Sequence, residues 1–92
     1  MQMENVMKRD FWRNFKMEEK IIEIIENLTG YKKLKEKRDI DLLDNEILDS
    51  LAFIELITSL EEEFDIEIQP TQVEPNTWRS IKRIADLVKS LQ

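Results

Sequence analysis

The chain has no cysteine, no histidine, one glycine and two prolines. Without cysteine there is no disulfide, no thiol nucleophile and no thiolate metal site. Without histidine the usual general base and the commonest metal ligand are gone. A single glycine in 92 residues also argues against an all-β design, which needs many tight turns. No apolar run approaches the roughly 20 residues of a membrane span, and the N-terminus lacks the apolar stretch of a signal peptide. Stable membrane binding is not expected, and the cytoplasm is the default address. No nucleophile–base pair and no phosphate-cradling glycine loop survives these absences, so no catalytic residue is assigned and an enzyme is not expected.

What is present suits one small domain with one modest core. The chain is 41% hydrophobic and carries a net charge of −6. Between Asp39 and Trp78 there are 12 acidic residues and no basic one. Nucleic acid would be repelled by that surface, because its binding draws on cations against phosphate. Basic protein partners fit it better. Residues 1–16 have the opposite sign, +2 against −8 for the remainder. Met3, Met7, Phe11 and Phe15 recur there every four residues. This stretch reads as an N-terminal extension, either helical or disordered, ahead of a domain over residues 17–92.

In "MEEKIIEIIENLTG", Ile21, Ile24, Ile25 and Leu28 share one helical face. Gly30 is placed to end that helix in the left-handed C′ conformation. Residues 31–48 lack helical periodicity; Leu34, Ile40, Leu42, Leu43 and Ile47 are candidates to pin this long loop on the core. A second helix runs from about Asp49 or Ser50 to Phe64. Asp49 is a good N-cap, since its carboxylate accepts from the free N–H groups of the first turn. Phe53, Leu56, Ile57, Leu60 and Phe64 form its buried stripe. A short turn of helix is expected near residues 71–75. The last helix puts Ile81, Ile84, Ala85, Val88 and Leu91 on one face, capped by Thr77 or Ser80.

The second helix leaves something over. Leu51 falls about 150° and Ile54 about 90° from the centre of the buried stripe. Leu51 adjoins the Ser50 hydroxyl, with Glu55 and Glu62 on the same outer face. An apolar contact ringed by acid, beside a hydroxyl at a helix tip, suggests a docking surface. Asp39, Asp41 and Asp44 resemble part of a calcium loop, but the spacing is wrong and the required glycine is missing, so no metal site is assigned.

The stretch "DSLAFIELITSLEEEFDIEI" resembles the recognition helix of acyl and peptidyl carrier proteins. Asp49, Ser50, Leu51, Glu55, Leu56, Leu60, Glu61, Glu62, Phe64, Ile66 and Ile68 match that pattern. The resemblance implies an all-α, acyl-carrier-protein-like bundle of three main helices plus one short helix, with a long first loop. It implies 4′-phosphopantetheine, taken from coenzyme A, on Ser50, with Asp49 as cap and as a contact for the phosphopantetheinyl transferase. Leu51, Ile54, Glu55, Glu61 and Glu62 would meet the basic docking surfaces of an adenylating ligase, acyltransferase or synthase. Such pairs steer encounter more than they add affinity, and a monomer is expected.

Two positions depart from the family pattern. Glu46 stands where many members have glycine, so Asn45 or a shifted turn would supply the left-handed residue. Ala52 stands where carriers of fatty acid synthesis usually have a second acid. "ILDS" and "NTWRSIKRI" are similar to stand-alone aminoacyl carriers, the D-alanyl carrier proteins among them. An acyl carrier for fatty acid or polyketide-type chemistry, and an unmodified carrier-like interaction module, stay open as alternatives.

Overall fold

A computed structural model describes the backbone of residues 2–92 and the side chains of residues 13–92. Three α-helices make the frame: α1 (Gln2–Thr29), α2 (Ser50–Phe64) and α3 (Ile81–Leu91), with two 3₁₀ turns, Pro70–Gln72 and Pro75–Arg79, between the last two. The expected all-α bundle is there, with two short turns in place of the single one expected at 71–75. Among the described residues there is no strand.

Helix α1 runs unbroken from Gln2, because no glycine or proline interrupts the chain before Gly30. How Met3, Met7 and Phe11 pack lies outside the described side chains. The buried face of α1 is Met17, Ile21, Ile22 and Ile25, with Ile24 and Leu28 half-buried. That is wider than the predicted stripe, since α1 packs against both α2 and α3. Gly30 closes the helix as expected, with φ 78° and its N–H donating to Glu26 O at 2.8 Å.

The first part of the long loop retraces α1 toward its N-terminus. Leu34 N–H donates to Glu26 Oε2, and Arg38 further on reaches Glu19 at 2.7 Å and lies over the Phe15 ring, 5.0 Å from its centroid. Leu34 and Leu42 are fully buried, and Ile47 and Leu48 nearly so. Glu46 itself takes the left-handed conformation, φ 56°, so the predicted substitutes, Asn45 or a shifted turn, are not what the chain uses.

Ala52, Leu56, Ile57 and Leu60 are the buried residues of α2, with Phe53 and Phe64 half-buried against them. Helix α3 buries Ile81, Ile84, Ala85 and Val88, while Leu91 is exposed because the last turn extends past the core. Ser80, not Thr77, is its cap: Ser80 Oγ accepts from Arg83 N–H at 3.0 Å. The rings of Phe53 and Trp78 meet edge to face, 5.1 Å between centroids, so α2 and α3 begin at the same end of the bundle.

Candidate functional site at the start of helix α2

The first turn of α2 is organised by Asp49. Its Oδ1 accepts from Ala52 N–H at 2.8 Å, and its carbonyl accepts from Phe53 N–H at 2.9 Å. The N–H groups of Ser50 and Leu51, at the positive end of the helix dipole, have no described acceptor. Ser50 is exposed, and no described residue bonds its hydroxyl. Leu51 and Ile54 stand out in solvent at 65% and 61% exposure.

Glu55 and Glu62 point outward on the same helix. Glu61 is different. It is half-buried, its Oε2 accepts from Ile68 N–H at 2.9 Å, and its carbonyl caps the helix end by accepting from Ile66 N–H at 3.2 Å. Its carboxylate is therefore already engaged in closing α2. Glu63 pairs with Lys20 of α1 at 3.1 Å, and that carboxylate raises the Lys20 ammonium above its ordinary range.

Beside Ser50 lies an open, mainly apolar hollow of about 300 Å³, lined by Leu43, Leu48, Asp49, Ser50, Phe53, Pro75 and Trp78. Sequence reasoning missed it. Trp78 could have pointed there as a large aromatic preceding a helix, but apart from Pro75 the other lining residues lie 25 to 35 positions upstream in the chain. Nearby, the Asp41 carboxyl is held below its usual range, first by the Asp44 N–H and then by the Arg79 guanidinium and Leu43 N–H, against partial desolvation. Among the described residues no group of three or more acidic side chains gathers to hold a metal. Asp41 and Asp44 pair with Arg79 instead.

A family profile described as "Phosphopantetheine attachment site" matches residues 19–88. The chain belongs to this family. It is 38% identical to the D-alanyl carrier protein of Lactococcus lactis subsp. cremoris (strain MG1363) over 73 residues, covering 79% of this chain and 92% of that one. It is 36% identical to the D-alanyl carrier protein of Streptococcus uberis over 76 residues, with 83% and 95% covered. For that of Latilactobacillus sakei the identity is 32% over 76 residues, with 83% and 97% covered.

This phosphopantetheine carrier is thus a carrier of substrates for other enzymes and not itself an enzyme. Its cofactor is covalent 4′-phosphopantetheine, and its working partners are a phosphopantetheinyl transferase and loading enzymes. The residues at the α2 start fit that group. An unengaged primary hydroxyl could take a phosphodiester, the helix N-terminus would favour its negative charge, and an apolar hollow adjoins. Among the described residues no helix is long and apolar enough to cross a membrane.

Proposed function

We propose that Ser50 is the attachment point and that the carrier serves as a stand-alone aminoacyl carrier, D-alanine being the favoured cargo. The observation that supports the first part is the exposed, unbonded Ser50 hydroxyl on a first turn whose cap, Asp49, is already satisfied. In priming, Ser50 Oγ would bond to the pantetheine-side phosphorus of the coenzyme A pyrophosphate as that phosphorus loses its bridging oxygen; adenosine 3′,5′-bisphosphate leaves, and the serine proton passes to the transferase. When bound, the arm supplies the thiol that carries cargo as a thioester, which is why the chain needs no cysteine of its own.

The cargo reading rests on the D-alanyl carrier relatives and on Ala52, where carriers of fatty acid synthesis favour an acid. Residues 17–92 form the carrier domain in this reading, close to the span that the family profile matches. Leu51, Ile54, Glu55 and Glu62 present the docking face to basic partners, with Asp49 a further contact for the transferase; Glu61 contributes mainly by holding the end of α2. The protein works as a monomer in the cytoplasm.

Incubation with coenzyme A and a broad-specificity transferase should add one phosphopantetheine by intact mass, and Ser50→Ala should abolish the gain. An unchanged parent mass with several transferases would instead make the protein an unmodified interaction module. The primed protein should then gain D-alanine from an adenylating ligase. Loading by fatty acyl donors alone would move it to the acyl carriers.

A further inference from the structure

The walls of the hollow beside Ser50 come from distant stretches of chain: Leu43 and Leu48 from the long loop, Pro75 and Trp78 from the second 3₁₀ turn. One side chain ties the two stretches together. Arg79 Nη1 donates to Asp44 Oδ1 at 2.7 Å and to Asp41 Oδ2 at 3.1 Å, and its Nε donates to Asn76 Oδ1 at 3.0 Å. The Arg79 carbonyl accepts from Leu42 N–H at 2.7 Å.

The loop side of this clasp is itself stiff. Asp41 Oδ1 accepts from Leu43 N–H at 2.9 Å and Asp44 N–H at 2.8 Å, and Leu42 O accepts from both Ile47 and Leu48 N–H. Leu48 immediately precedes Asp49 and Ser50. A planar guanidinium can hold three acceptors at once in a fixed fork; an ammonium offers one point charge. At 39% exposure the Arg79 side chain adds little to overall stability through these pairs. Their importance is geometric.

We propose that Arg79 is a positioning residue for chemistry at Ser50: it clasps the second 3₁₀ turn to the stretch of the long loop over residues 41–46 and so sets the gap between the two walls of the hollow. This inference rests on Ser50 as the attachment point. Docking through Leu51, Ile54 and Glu55 lies on solvent-facing α2 and does not depend on the clasp.

The test is priming kinetics of the full chain with a phosphopantetheinyl transferase and coenzyme A, together with amide spectra of each variant. Arg79→Gln should lower kcat about three- to tenfold with KM for the carrier nearly unchanged, as expected for a displaced nucleophile. The amides of Leu48 to Leu51 should shift while those of Ala85 to Val88 stay in place. Arg79→Lys should restore part of the rate. Asp44→Asn, at a carboxylate 71% exposed and therefore easily tolerated, should reproduce part of the loss.

A primed parent with Arg79→Gln at the parental kcat overturns this inference alone. So does a loss that Arg79→Lys leaves untouched while resonances move throughout the core. A parent that no transferase primes overturns the Ser50 reading, and this inference with it.

Discussion

Glu46 occupies a backbone conformation that side chains with a β-carbon disfavour, φ 56°, in the turn that leads into α2. A left-handed residue of this kind costs roughly 1 to 2 kcal/mol, partly offset by the greater freedom a glycine would have when unfolded. Glu46→Gly should therefore stabilise the protein by about 0.5 to 1 kcal/mol, read as a higher urea midpoint with unchanged slope. A lower midpoint would mean that the Glu46 side chain holds the turn. Sequence comparison with the family located the position but not the solution. A positive φ at glutamate leaves no mark in composition or periodicity. Glu61 was opaque for a related reason: as one of three consecutive acids it looked like surface charge, and only the fold brings Ile68 N–H within 2.9 Å of its carboxylate.

At the scale of elements, the signals that could be read in advance were those confined to one turn of helix. Asp49 as the cap of α2 and Gly30 as the end of α1 are each decided by atoms within four residues along the chain. The hollow and the Arg79 clasp were not legible, because they join the long loop to the second 3₁₀ turn, the clasp across 35 and 38 positions. The buried face of α1 holds the predicted stripe and adds Met17 and Ile22, because α1 packs against both α2 and α3, which periodicity within α1 cannot announce. Removing the α2 cap has a calculable effect. Asp49→Ala should cost about 1 kcal/mol of stability. Amide exchange at Ala52 should quicken in that variant while exchange at Leu60 holds. Uniform loosening of α2 would show that the cap supports more than its own turn.

For the molecule as a whole, charge separation is the leading feature. Acidic residues fill the stretch that contains α2, and α1 and the loop after it hold most of the lysine and arginine. Glu55 and Glu62 are the exposed acids to test, since reversing Glu61 would also break its bond to Ile68. Glu55→Lys with Glu62→Lys should slow priming and loading about tenfold at low salt, with the gap closing as salt screens the attraction. Far-UV circular dichroism should match the parent. Equal rates at low salt would remove these acids from partner recognition.

Leu51 follows Ser50 directly in the chain, and Ile54 lies one turn further along the same helix. On the docking face proposed above, a partner seated at Ser50 would cover both apolar side chains, and two partners would not grip the carrier together. The transferase and the loading enzymes would then take turns at a single berth. Each transfer then waits for the previous occupant to leave, so a variant that clings longer to any one of them would slow the whole relay.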